Sequence, residues 1–193
     1  MRIIAIGGVA AGAKAAAKAR RVDPNHEIII YQDEAEVSYS ACGLPYVISG
    51  VIDDGRKIVI RQPEDFAKEG IKVYTRYRVT SIDIAKQQLR VRNLENNSEE
   101  LVDYDRLILA TGACPIVPNI EGISLEGVLT LRNISDLGRF KTLLTTMHPK
   151  KAVIIGAGYI GLELAESFHE LNIKTTIIEK ATRILPKFDT EMA

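Results

Sequence analysis

The segment Ser38-Tyr39-Ser40-Ala41-Cys42-Gly43-Leu44-Pro45-Tyr46 sets one cysteine in polar and aromatic surroundings, directly ahead of Gly-Leu-Pro. Proline suits the first turn of a helix, because the N–H it lacks would have no partner there. The spacing therefore puts Cys42 at or near the N-terminal end of a helix. Unpaired N–H groups and the helix dipole favour negative charge at that point. A thiol so placed can have its pKa lowered and become the reactive thiolate near neutral pH. The plainer alternative is a small, buried, apolar cysteine, the common fate of free cysteines. The reactive reading gains from two glycine turns, one on either side of it in the chain.

The first turn is Gly7-Gly8-Val9-Ala10-Ala11-Gly12, between an apolar strand (Arg2 to Ile6) and an alanine-rich helix (Ala10 to Val22). Alanine is the best helix former, and its small side chain lets a helix lie close on a sheet. A second strand runs from Glu27 to Tyr31. Strand, glycine turn, helix and strand make a βαβ opening. The turn matches G-x-G-x-x-G except that Val9 stands where the second glycine belongs, the one that lets a pyrophosphate approach the backbone. Gly8, beside it, is read as keeping the turn flexible. A dinucleotide ribose would meet the residue ending the second strand, about 20 residues on. Gln32 occupies that place and can both donate to and accept from a hydroxyl; Asp33 is the alternative if the register slips by one.

The second turn is complete: Gly156-Ala157-Gly158-Tyr159-Ile160-Gly161. A strand (Lys151 to Ile155) precedes it, a helix (Leu162 to Leu171) follows, and a further strand (Ile173 to Ile178) ends at Glu179. The motif in that context points to dinucleotide binding. Glu179 accepts from a ribose 2′-OH and repels a 2′-phosphate, which favours NAD over NADP. Lys180 and Arg183, close behind, act against that preference.

Between the turns, Pro63 to Phe66 begins a short helix closed by Gly70. Ile71 to Tyr74 is a strand, and Arg78 to Ile84, Gln88 to Asn93 and Leu101 to Tyr104 form an antiparallel meander. Arg106 to Ala110 is a buried strand ending in Thr111-Gly112-Ala113. The extended, proline-marked connection from Cys114-Pro115 to Gly122 is the domain boundary. A short strand over Glu126 to Leu131 and a helix from Ser135-Asp136 to about Met147 lead to the second turn. The fold class is α/β. Residues 1–115 make a Rossmann-like βαβ domain carrying the meander, and residues 116–193 open a second Rossmann-like domain.

Composition narrows the function. The 193 residues carry 25 basic and 25 acidic side chains, so the net charge is zero. That argues against nucleic acid or an anionic membrane as the main partner. No apolar run approaches the roughly 18–20 residues of a membrane span. Two cysteines, Cys42 and Cys114, make no disulfide framework, which points to a reducing, cytoplasmic setting. Cys114, next to Pro115, is read as structural, and no metal site is read anywhere in the chain.

Ile6-Gly7-Gly8-Val9-Ala10, Ser38-x-x-x-Cys42-Gly43-Leu44-Pro45-Tyr46, Leu109-Ala110-Thr111-Gly112-Ala113 and Ile155-Gly156-Ala157-Gly158-Tyr159-Ile160-Gly161-Leu162-Glu163 together resemble the flavin-dependent pyridine nucleotide–disulfide oxidoreductases. The resemblance covers the whole chain. It is narrower toward the single-cysteine branch of coenzyme A-disulfide reductases, persulfide reductases and NADH oxidases. No second cysteine lies four or five residues from Cys42, so the two-cysteine reductases fit less well. Gly-Gly-Val-Ala is this branch's form of the first turn.

The resemblance implies FAD held by Gly7, Gly8, Gly12, Gln32 or Asp33, Ala110, Thr111 and Gly112. Val79 would touch the adenine through its backbone, and Arg132 would face the flavin. It implies NAD(P)H, with NADH favoured, at Gly156, Gly158, Tyr159, Ile160, Gly161, Glu163 and Glu179. Tyr159 would cover the nicotinamide pocket; its alternative is an aromatic packed on the sheet. Cys42 would be the redox-active centre, as a mixed disulfide with a small thiol or as a sulfenic acid. Lys14, Lys18 and Arg21 share a helix face and could meet the phosphates of coenzyme A, although a solvated basic face is the usual meaning of such a run. Ser38 matches a position near the thiol substrate, while Ala41 stands where an asparagine commonly precedes the cysteine. The resemblance further implies a longer, homodimeric protein whose first 193 residues alone show no turnover. Two other classes remain: a non-catalytic nucleotide- or redox-sensing module, and a ferredoxin-type reductase that works without a thiol.

Overall fold

The computed structural model describes residues 1–186 and 188–192. The chain divides into two compact units, Met1–Ser40 with Ile58–Cys114, and Ala41–Lys57 with the residues from Pro115 onward.

Unit 1 is built on a four-stranded parallel sheet. Its strands are β1 (Arg2–Ile6), β2 (Glu27–Gln32), β3 (Ile71–Thr75) and β7 (Arg106–Leu109), in the order β3-β2-β1-β7. In the β1–β2 register Ile6 lies opposite Tyr31, and in the β1–β7 register Ile6 lies opposite Leu109. The β-branched runs Ile3-Ile4 and Ile28-Ile29-Ile30 bury side chains on both faces, the pattern of a parallel sheet covered on both sides. On one face lie α1 (Ala11–Val22) and α3 (Pro63–Lys68), whose Ala13, Ala16, Ala17 and Phe66 pack with Ile3, Ile28, Ile30, Val37 and Ile71. On the other face is the antiparallel meander β4 (Tyr77–Asp83), β5 (Gln88–Asn93) and β6 (Glu99–Asp103). Leu89 and Val91 of β5 pack there with Ile4, Ile29, Tyr31 and Tyr104.

Helix α3 starts where the sequence places it. Gln62 and Asp65 form a reciprocal capping box, Pro63 follows the cap, and Gly70 takes a positive φ of 74° just past the end.

Unit 2 contains a 3₁₀ turn (Ala41–Gly43), α2 (Leu44–Ser49), α4 (Ile134–Met147), α5 (Tyr159–Glu170) and the parallel pair β8 (Lys151–Ile155) and β9 (Lys174–Ile178). Helix α2 buries Leu44, Pro45, Val47 and Ile48 as it packs against α4 and α5. Residues 41–57 therefore join the second unit, whereas the sequence reading kept them in the first segment. The junction further along the chain falls between Cys114 and Pro115.

The strand expected over Glu126 to Leu131 does not form. Gly122 and Gly127 both take left-handed backbone, with φ of 82° and 89°. The chain makes successive tight turns there, Leu125 N–H to the Gly122 carbonyl and Val128 N–H to the Leu125 carbonyl. Such turns leave no extended run to pair.

Phe66 is completely buried between α3 and the sheet. Phe66→Ala is expected to destabilise the protein by about 3–5 kcal/mol, through lost transfer energy and a residual cavity. Urea unfolding followed by circular dichroism measures this; a midpoint shift equivalent to under about 1 kcal/mol would contradict the assigned core.

Candidate functional site

The first glycine turn is fixed by close backbone approach. Gly7 has φ of +97°, and its N–H donates to the Tyr31 carbonyl at 2.8 Å. A Cβ on Gly12 would lie 1.8 Å from the Gly7 oxygen and 3.2 Å from Ala110 Cβ. A Cβ on Gly7 would meet the Ala110 oxygen at 2.1 Å. Gly7, Gly12 and Ala110 therefore form one contact set across β1, α1 and β7.

Gly8 differs from its sequence reading. It is buried, its Cβ would lie 2.9 Å from Ile30 Cγ2 and 3.0 Å from Val37 Cγ1, and its N–H donates to Gln32 Oε1 at 2.7 Å. Gly8 is there for tight packing, not for a flexible turn. The buried Gln32 carboxamide already spends acceptor capacity on the turn, and its other hydrogen-bonding capacity is what it could offer a ligand. Asp33 instead pairs with Arg78 at 3.3 Å.

Ser38 adjoins this turn. Its N–H donates to the Gly8 carbonyl at 2.9 Å, its own carbonyl accepts from Ile60 at 2.8 Å, and its φ is +49°. Val79 and Thr111 line a cleft of about 340 Å³ with Ile6, Thr80, Ser81, Ile82 and Leu109. Gly112, with φ of +70°, turns the chain after β7. Lys14, Lys18 and Arg21 all lie on the exposed side of α1, opposite the buried Ala13, Ala16 and Ala17.

The second turn repeats the first in its main features. Gly156 has φ of +106°, its N–H donates to the Ile178 carbonyl at 2.8 Å, and a Cβ on Gly161 would lie 2.0 Å from its oxygen. Gly158 faces open space. Glu179 grips the turn: Oε2 accepts from Ala157 N–H at 2.7 Å and Oε1 from Ala181 N–H at 2.8 Å. Those backbone donors, Ala181 first and Ala157 next, hold the Glu179 carboxyl below the usual carboxylate range. The stability this grip lends is present above that range and is lost as pH falls through the lowered value.

Tyr159 begins α5 with its side chain 61% exposed, its ring edge-on to Phe188 at 5.5 Å. It is not packed on the sheet. Ile160 is exposed beside it, and Glu163 sits one turn further along α5. Neither α1 nor α5 has a side chain capping its N-terminus, so the first-turn N–H groups of both stay available to an anion.

Cys42 is exposed within the 3₁₀ turn that leads into α2, and Pro45 stands in the first turn of that helix. The thiol is therefore at the start of a helix and reachable from solvent. Cys114 is exposed as well, and it is not covered as a structural role would suggest. Arg132 is half-buried ahead of α4; its N–H donates to Asp136 Oδ2 at 2.7 Å, beside the Asn133 cap that accepts from Asp136 N–H. The sequence reading missed Ala181, which shares the Glu179 carboxylate, and Phe188, which packs on Tyr159. No motif flags either, since one acts through its backbone and the other through a single ring contact.

Residues 1–193 match the pyridine nucleotide-disulphide oxidoreductase family. The chain is 36% identical over 195 residues to an NADH oxidase of Methanocaldococcus jannaschii, covering 100% of this chain and 43% of that protein. It is 35% identical over 192 residues to a coenzyme A disulfide reductase of Staphylococcus epidermidis, covering 99% of this chain and 43% of that protein. A solved structure of an NAD-dependent persulfide reductase from A. fulgidus superposes with a TM-score of 0.94 at 37% identity, over 100% of this chain and 37% of that one. The chain thus spans less than half the length of these relatives. Both glycine turns and the cysteine segment fall inside a match that runs from the first residue to the last, and on that ground the chain belongs to the pyridine nucleotide-disulphide oxidoreductases.

Proposed function

We propose that this chain forms the cofactor-binding and redox part of a flavoprotein that passes electrons from NAD(P)H through FAD to a thiol-disulfide at Cys42. The substrate class is coenzyme A disulfide or a persulfide. The observation that carries the reading is the exposed Cys42, set at a helix start in a chain with two glycine turns of dinucleotide-binding geometry.

The residues fit the groups they would hold. At the first turn, Gly7 and Gly12 bring strand and helix together, the α1 N-terminus carries uncapped N–H groups for a pyrophosphate, and the Val79–Thr111 cleft opens beside it. Gln32 supplies a neutral contact for the ribose. At the second turn, the open space at Gly158 leaves the backbone bare for a pyrophosphate, and Tyr159 and Glu163 lie along the same helix. FAD, when bound, supplies the two-electron chemistry that joins nicotinamide to sulfur.

The chain's own residues do the rest. Cys42 presents sulfur to solvent, where it can attack a small-molecule disulfide: the substrate S–S bond breaks, one small thiol leaves, and a mixed disulfide forms on Cys42. Reduction of that mixed disulfide takes two electrons and two protons, breaks its S–S bond, releases the second small thiol and leaves Cys42 as the free thiol. Lys14, Lys18 and Arg21 offer three cationic groups on one exposed face for the phosphates of coenzyme A. Ala41, where a polar neighbour is common, gives the cysteine no amide contact. A second reading has support in the M. jannaschii relative: an oxidase in which a peroxide transfers one oxygen to Cys42, its O–O bond breaking, and the sulfenic acid formed takes two electrons and two protons to give back the thiol and water.

Intact mass of the native protein before and after reductant decides between them. A loss equal to coenzyme A is the expected result, a loss of one sulfur atom indicates a persulfide, and a loss of one oxygen selects the oxidase. Cys42→Ser should abolish the mass change and disulfide reduction together; full electron transfer by Cys42→Ser would overturn the thiol mechanism.

Glu179, held ionised by two backbone donors, supports NADH as the preferred donor. Glu179→Gln removes the charge and keeps one acceptor oxygen. In the full-length protein the ratio of kcat/KM for NADPH over NADH should rise by roughly tenfold, and an unchanged ratio would remove Glu179 from cofactor selection.

A further inference from the structure

Helix α5 begins at the second glycine turn and, two turns on, carries Ser167. Ser167 is only 4% exposed, on a helix that packs against α2. Its hydroxyl lies 2.8 Å from the Glu163 carbonyl one turn back, a bond that would satisfy it within its own helix. It also lies 2.9 Å from the carbonyl of Pro45 in the first turn of α2, so its one proton is shared between the two acceptors. Pro45 is three residues past Cys42, and the 3₁₀ turn holding Cys42 runs straight into α2.

Either carbonyl satisfies the buried hydroxyl, and only the one of Pro45 reaches across to α2. Apolar burial is non-directional and by itself names no single rotation of α2 on α5. A hydrogen bond to one chosen carbonyl fixes register and rotation together.

We infer that Ser167 is a positioning residue for Cys42: its hydroxyl locks the first turn of α2 to α5 and so fixes the direction in which the thiol is presented. The inference rests on Cys42 being the redox centre proposed above, yet it is tested separately. Removing the hydroxyl leaves α2 its apolar contacts, so the helix stays docked while its rotation is released.

The test is the rate of Cys42 alkylation by iodoacetamide in the purified protein after reduction and removal of the reductant, followed by peptide mass spectrometry, with the exposed Cys114 as internal standard. Ser167→Ala should change the Cys42 rate relative to Cys114 by about fivefold, the factor that a net hydrogen bond of about 1 kcal/mol corresponds to. Ser167→Thr, which keeps the hydroxyl, should restore the parent rate. Ser167→Val, which has the shape of threonine without the hydroxyl, should behave as alanine does. The threonine–valine pair makes the same comparison if the alanine variant fails to fold. Equal Cys42 rates in the threonine and valine variants would overturn the inference. Failure of the redox reading shows elsewhere, in a parent protein whose Cys42 reacts no faster than Cys114; the variant comparison still decides the role of Ser167 in that case.

Discussion

Both units rest on one close contact, a helix backbone laid against the carbonyl of the glycine that ends a strand. The oxygen of Gly7 fills the space a side chain on Gly12 would need, and the oxygen of Gly156 does the same at Gly161. No other residue type leaves room at positions 12 and 161. With the helix seated so low, its first N–H groups sit at the strand's end, where no side chain caps them. The small face of α1, Ala13, Ala16 and Ala17, follows from the same closeness. The uncapped N–H groups at these turns are thus a by-product of how tightly strand and helix pack.

The two turns share this frame and differ in chemistry. In each, the second N–H of the turn donates to the residue ending the next strand, Gly8 to Gln32 and Ala157 to Glu179. A neutral carboxamide fills that role in unit 1 and an ionised carboxylate in unit 2. Val9 fills the position that Gly158 leaves open in the second turn.

Much of this was legible in the residues. The isoleucine runs of β1 and β2, the alanine face of α1 and the glycine spacing name a βαβ unit without help from coordinates, because each follows from local sterics. The meander and α3 were legible for the same reason, the one through alternation and the other through Pro63, the acids that follow it and Gly70. The turns over residues 122–128 were not, because the apolar residues from Glu126 to Leu131 look extended until two left-handed glycines redirect the backbone. The place of residues 41–57 was hidden for another reason. Which partner helix α2 chooses depends on surfaces more than 80 residues away, on α4 and α5, and no short-range pattern encodes that choice. Ser167 shows the same limit, since a lone serine on an apolar helix face carries no signal until its neighbour across the seam is known.

The carbonyl of Ala110 abutting Gly7 bears on how unit 1 is assembled. Strands β1 and β2 with α1 between them are neighbours in the chain and can dock early, at small loop-closure entropy. The far wall of the Gly7 turn, however, comes from β7, which is synthesised only after α3 and the whole meander. The Gly7 turn is therefore completed by the most sequence-distant pairing in the unit, and high contact order of that kind slows folding. The nascent chain must hold this turn half-built until residue 110 arrives, so it is among the last features of the unit to become native.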